Sequence, residues 1–373
     1  MTYSVHQHWD PLRVCAVGRS YPPEFYSFIT NSRVRDVMER IAIETEEDYQ
    51  KLIKLLEEFN VKVLRPDVSG DYTSYLNIHG TIDPPPMNPR DYSAMIGNNF
   101  YFDYSSDVTA IWDIIKGADW PQQCPDDLTT IPGWIQTELT QLTKSRTLFY
   151  KTIINQLESH CNIIINENIN SAMTTRIGKD LYFGTETYDD NLIKLKELYR
   201  NKFSEYRCHV INTGGHADGT YCPVKPGLIV SLNDVPTYAE TFPGWEVIYL
   251  PGQSWGAVKP FLDLKEKNNG KWWVPGEELN DDFTEFVEGW LSHWVGYVEE
   301  TVFDVNMLVI DEKNVVCNNY NEQVFAAFDR HGITPHIVNF RHRYFWDGGL
   351  HCITSDLHRE GTQKDYFPER RLT

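Results

Sequence analysis

Short runs of β-prone, largely apolar residues recur at four places, and a turn-forming or polar pair interrupts each run. The four are Tyr92–Asp103 around Gly97-Asn98, Met173–Gly184 around Gly178-Lys179, Thr220–Ser231 around Pro226-Gly227, and Asn306–Asn318 around Glu312-Lys313. β-prone residues on both sides of such a pair predict a strand, a tight turn and a second strand. A fifth, weaker instance begins at Leu12–Gly18.

Behind each hairpin the period changes. Glu44–Phe59 carries Tyr49, Leu52, Ile53, Leu56 and Phe59 at helical spacing, one apolar stripe, and the short apolar run Val61–Leu64 follows. In the same way Gln136–Ser159 leads to Asn162–Ile165, Leu192–Tyr206 to His209–Ile211, and Asn321–His331 to Ile333–Val338. The stretch before Trp245–Leu250 is too short for a long helix. The pattern is therefore about five ββαβ units. Each is too small to bury its own apolar face, so the units are expected to share a core. Radial packing would bring the ends of their last strands to a common centre; an ordinary mixed α/β domain is the alternative. Pro84-Pro85-Pro86 and Lys265–Gly270 read as loops rather than linkers, so one domain over residues 1–373 is expected.

Composition narrows the function. The 373 residues carry a net charge of -19, which argues against a duplex nucleic-acid binder and suits a protein whose small substrates are cationic. No apolar run approaches the roughly 18–20 residues of a membrane span, and Met1–Asp10 lacks the basic head and apolar stretch of a signal peptide. The seven cysteines are widely spaced with no C-x-x-C pair, so neither a zinc ribbon nor a dithiol site is indicated, and a reduced cytoplasmic setting is expected.

Three segments carry candidate chemistry. Gly348-Gly349-Leu350-His351-Cys352 places a cysteine just past two glycines that permit a close backbone approach, although such a thiol is more often buried filler than nucleophile. Asn212–Thr220 follows a short strand and holds His216, a potential proton carrier, with Asp218 two residues on; in extended chain the two would share a face. Pro89-Arg90-Asp91 leads into the first clear hairpin, where Asp91 is either a turn cap or a buried partner for a substrate cation.

Taken in order, these segments resemble the amidinotransferases, the arginine:glycine and inosamine-phosphate enzymes of the guanidino-modifying superfamily. The likeness starts at His8-Trp9-Asp10-Pro11-Leu12 with Val17-Gly18, and runs through Pro89-Arg90-Asp91 with Gly97-Asn98. It continues in Arg176-Ile177-Gly178-Lys179-Asp180-Leu181, His216-Ala217-Asp218 and Pro226-Gly227. It ends at Gly348–Cys352 with Arg359-Glu360-Gly361. The resemblance implies a five-bladed α/β propeller of ββαβ units with pseudo-fivefold symmetry. It also implies a catalytic Cys352 that attacks a guanidinium carbon and holds the amidino group covalently. His216 would move protons between leaving and incoming amines, while Asp91 and Asp218 would grip the guanidinium. A thiol of pKa about 8.5 needs help to ionise near neutral pH, and a bound cation supplies it.

Several positions depart from the family pattern. Met173 stands where the family has an aspartate paired with the histidine, and Glu167 is the carboxylate nearest in sequence. Val235 stands where an arginine binds the donor carboxylate, and Glu299 and Glu300 fall where serines contact the donor. These substrate-binding differences favour a donor without an α-carboxylate, such as agmatine, over free arginine, unless another cation such as Arg341 or Arg343 binds that carboxylate. The expected partners are a small-molecule guanidino donor and an amine acceptor, with no nucleic acid, membrane, metal or cofactor; a homodimer is left open. Hydrolysis of the covalent intermediate, or a catalytically altered guanidino-binding homologue, are the competing readings.

Overall fold

The computed structural model describes residues 1–68, 70, 75–76, 82–103, 146–165, 169–185, 191–232, 238–250, 274–291, 295 and 304–370. Five small sheets of three strands organise these residues. The chain enters through β1 (Leu12–Val17), a long helix α1 (Ser32–Glu58) and β2 (Lys62–Leu64). The second sheet is β3 (Ser93–Ile96), β4 (Asn99–Phe102) and β5 (Asn162–Ile165); the third is β6 (Thr174–Ile177), β7 (Asp180–Thr185) and β8 (Arg207–Asn212). The fourth is β9 (Tyr221–Lys225), β10 (Leu228–Ser231) and β11 (Glu246–Tyr249), and the fifth is β12 (Leu308–Asp311), β13 (Asn314–Cys317) and β14 (Thr334–Ile337). In each of these four sheets an antiparallel hairpin is joined by a parallel third strand. A parallel neighbour needs a crossover, and helices Asn191–Lys202 and Glu322–Arg330 supply it in the third and fifth. This is a five-bladed α/β propeller.

The four hairpins turn at the predicted pairs. At the third-sheet turn, Gly178 has φ +62°, and a Cβ there would lie 1.9 Å from the Lys364 carbonyl oxygen, so both conformation and space demand glycine. The fifth hairpin is a correction. The antiparallel partner of β1 is not the next stretch of chain but β15 (Thr354–Arg359), with Leu12 opposite Arg359 and Val17 opposite Thr354. No turn after Gly18 announces a partner because the partner comes from the far end of the sequence. The first blade is thus completed by β15-β1-β2.

α1 begins at Asn31, whose side chain accepts the Arg33 N–H, and its stripe of Met38, Ile41, Tyr49, Leu52 and Leu56 is fully buried. Its N-terminal half packs against helix Asp281–Trp290, which periodicity had not singled out. The same helix anchors the segment leading to Cys352: Arg341 Nε donates to Asp48 at 2.9 Å, and Trp346 Nε1 donates to Thr45 Oγ1 at 2.8 Å. Arg341 also pairs with Glu47 at 2.6 Å, so structural carboxylates engage it. Of the predicted helix Gln136–Ser159, the part over residues 146–157 is described and is helical. The loop Lys265–Gly270 lies outside the described residues.

Candidate active site

Beneath the site lies a buried ionic hub. Asp356 on β15 receives Arg176 Nη2 at 2.8 and 2.9 Å, Arg359 Nε at 2.7 Å and Arg90 Nη2 at 3.2 Å. All four side chains are essentially inaccessible. Arg176 also donates to the Met95 carbonyl of β3, and Arg359 to the Val309 carbonyl of β12, each at 2.8 Å, so the hub ties four sheets together. Burial pushes the Asp356 carboxyl up, but Arg176, Arg359 and Arg90 overcome it and hold the group well below the usual carboxylate range. Arg176 and Arg359 came from quoted motifs; their convergence is a structural finding.

Cys352 sits two residues before β15 and is fully buried. Its Sγ accepts from Asn306 Nδ2 at 3.0 Å and lies 3.8 Å from Asp218 Oδ2. The preceding glycines make room for two asparagines: a Cβ on Gly348 would meet Asn88 Oδ1 at 2.5 Å, and one on Gly349 would meet Asn306 Oδ1 at 2.4 Å. The neighbouring His351 ring places Nδ1 2.7 Å from Asp218 Oδ2. Burial, then the nearby Arg90 guanidinium, depress the His351 pKa well below its ordinary value, which keeps the ring neutral with its single N–H directed at the carboxylate. Arg90 Nε fixes this segment from below by donating to the His351 carbonyl at 2.7 Å and the Thr354 carbonyl at 2.8 Å.

His216 and Asp218 do not share a face as an extended strand would have it. His216 precedes a 3-10 turn, Ala217–Gly219, which sends the two side chains to different partners. Asp218 turns inward to Cys352 and His351. His216 Nδ1 instead lies 3.9 Å from Asp91 Oδ1, and both side chains are partly exposed. Asp91 closes the short turn Pro89–Asp91 ahead of β3, directly after hub residue Arg90. The predicted four therefore assemble as two contacts, Cys352 with Asp218 and His216 with Asp91. Met173, half-buried, offers its backbone N–H to Asn170 Oδ1 at 2.9 Å and its carbonyl to the Gly184 N–H at 2.7 Å. Glu167, Val235, Glu299 and Glu300 lie outside the described residues. Sequence reasoning did not assign Asn306 or His351. His351 adjoins the cysteine in the quoted motif, but nothing in spacing marks Asn306. Among the described residues, no three His, Cys, Asp or Glu side chains are grouped to hold a metal ion.

The propeller, with Cys352 buried beside Asp218 and with His216 beside Asp91, has the fold of the amidinotransferases. It superposes on an amidinotransferase of the Microseira wollei saxitoxin biosynthetic pathway with a TM-score of 0.62 at 16% identity, covering 98% of this chain and 99% of that one. With the inosamine-phosphate amidinotransferase of Streptomyces griseus the TM-score is 0.61 at 17% identity, with the same coverage. In sequence the chain is a homologue of amidinotransferases. It is 23% identical over 396 residues to the mitochondrial glycine amidinotransferase of Xenopus tropicalis, spanning 97% of this chain and 84% of that protein. It is also 23% identical over 352 residues to the L-arginine:L-lysine amidinotransferase of Pseudomonas savastanoi pv. phaseolicola, spanning 88% and 82%. No protein-family model matches the chain.

Proposed function

We propose that residues 1–373 act as one amidinotransferase unit that moves an amidino group from a guanidino donor to an amine acceptor through Cys352. The observation that carries the reading is the placement of Cys352 Sγ 3.8 Å from the Asp218 carboxylate, with His216, two residues before Asp218 in sequence, 3.9 Å from Asp91. Asp218 and Asp91 bind the donor guanidinium, and the bound cation offsets the carboxylate beside the sulfur. The thiolate forms a bond to the central guanidinium carbon. The C–N bond to the leaving amine then breaks, and His216 delivers the proton that amine needs. The acceptor amine gives its proton to His216 as it attacks the same carbon, the C–S bond breaks, and the thiolate is restored. Asp91, close to Nδ1, steadies the imidazolium, a task for which Met173 has no charge.

Val235, Glu299 and Glu300 define the donor's far end in this reading. A missing cation and two carboxylates there disfavour an α-carboxylate, so agmatine is the better donor than arginine. The described cysteines Cys15, Cys161, Cys208, Cys222 and Cys317 are thiols outside any disulfide, which suits a reducing compartment such as the cytoplasm. The chain is incubated with each donor, with and without an amine acceptor, and followed by intact-mass spectrometry and product analysis. An amidino adduct on Cys352 that the acceptor discharges is expected, with the higher kcat/KM for agmatine. Release of a ureido product or urea without transfer would replace this reading with hydrolysis, and a preference for arginine would remove the far-end assignment.

A further inference from the structure

Asn306 lies just ahead of β12 in the fifth blade, 46 residues before Cys352, and its side chain is wholly buried. Its Oδ1 accepts the His351 N–H at 2.8 Å and the Cys352 N–H at 3.3 Å. Two backbone donors facing one end of the amide fix its orientation, because an NH2 group there would meet hydrogens rather than lone pairs. Nδ2 must then face the other way, toward Cys352 Sγ at 3.0 Å and the Asp218 carbonyl at 3.5 Å. Asn318 Nδ2 donates to the Asn306 carbonyl at 3.3 Å and braces the residue from β13's end.

We infer that Asn306 is a further catalytic residue, a neutral N–H donor that stabilises the Cys352 thiolate and fixes the direction from which the sulfur attacks. The inference rests on Cys352 being the nucleophile proposed above. An N–H pointed at sulfur binds the anion more strongly than the neutral thiol. That bias is needed because the Asp218 carboxylate, 3.8 Å away, opposes a negative sulfur until a cation occupies the site. A neutral amide supplies it without a charge that would repel the incoming guanidinium. Its oxygen meanwhile holds the Cys352 backbone, so one side chain sets both the sulfur's position and its ionisation.

The test titrates the Cys352 thiolate by its ultraviolet absorbance in the free protein, subtracting Cys352→Ala in each background. The rate of iodoacetamide labelling across pH, read by intact mass, is measured alongside. Burial pushes Cys15, Cys208 and Cys222 up to about 12 and Cys161 to about 11, so these stay protonated where Cys352 is read. Asn306→Asp keeps the acceptor oxygen for both backbone N–H groups and removes the donor; Asn306→Ala removes both without adding bulk. In both variants the titration should move to higher pH, and labelling near neutral pH should fall about tenfold or more and recover at high pH. A titration that stays in place in the folded variants, whatever happens to turnover, would reduce Asn306 to packing and overturn the inference. If the aspartate variant does not fold, the alanine variant decides. Because no substrate is involved, a shifted titration in a chain that fails to transfer amidino groups would sink the transfer reading alone.

Discussion

Two ionic clusters lie within a few residues of each other and behave as opposites. In the hub, the Asp356 carboxylate is enclosed by Arg90, Arg176 and Arg359, all buried. In the second cluster, Asp91 and His216 stand 3.9 Å apart and partly exposed, and the buried Asp218 reaches the sulfur of Cys352. Arg90 and Asp91 are consecutive, yet one belongs to each cluster. Charge closed on itself holds blades together; charge left partly exposed, as at Asp91 and His216, stays in contact with solvent.

That contrast predicts different failures. Cys352→Ala should lower turnover at least about a thousandfold, as loss of a covalent step does, while the unfolding midpoint barely moves. Near-normal activity in this variant would end the mechanism. Asp356→Asn should do the reverse in kind, leaving three buried guanidiniums without their carboxylate. A loss of about 3–5 kcal/mol in denaturant unfolding is expected, and a loss below about 1 kcal/mol would show that the hub is not a structural keystone.

The smallest effect is a pH dependence. Burial, followed by Arg176, lowers the His8 pKa well below its ordinary value, and burial, followed by Arg90, does the same for His351. The unfolded chain therefore takes up these protons first. Stability from the neutral rings is present above about pH 6.5 and is lost as pH falls below it toward the folded values. The depressed Asp356 adds a separate loss only at much lower pH, as its own folded pKa is approached. Urea midpoints measured from about pH 8 to 5 should decline through the histidine window; a flat profile would mean that the two rings accept protons in place.

The legible parts of the molecule were local. Gly178-Lys179 and Pro226-Gly227 sit between strands that pair within a few residues, so pattern alone placed those hairpins. Leu12 pairs with Arg359, and no periodicity links positions so distant. The site divided along the same line. Cys352, His216, Asp91 and Asp218 were named from ordered motifs, but their pairing was not, because the 3-10 turn at Ala217–Gly219 redirects His216 and Asp218. Asn306 reaches Cys352 from another blade as a single amide in an unremarkable stretch. Helix Asp281–Trp290 lies outside the repeating pattern, although its Phe283 and Val287 are buried.

The pairing of β1 with β15 also bears on the order in which the molecule is assembled during synthesis. Leu12 and Arg359 are 347 positions apart (359 − 12), and Cys352 emerges from the ribosome only shortly before the strand that completes the first blade. Four sheets can form as their residues appear, but the first waits for the last contact, of the slow, long-range kind. The sulfur thus reaches Asn306 and Asp218 only at the end of assembly. A nascent chain arrested earlier holds most of the scaffold but lacks Cys352 and the strand that completes the first blade, so the buried sulfur environment is among the last parts of the molecule to form.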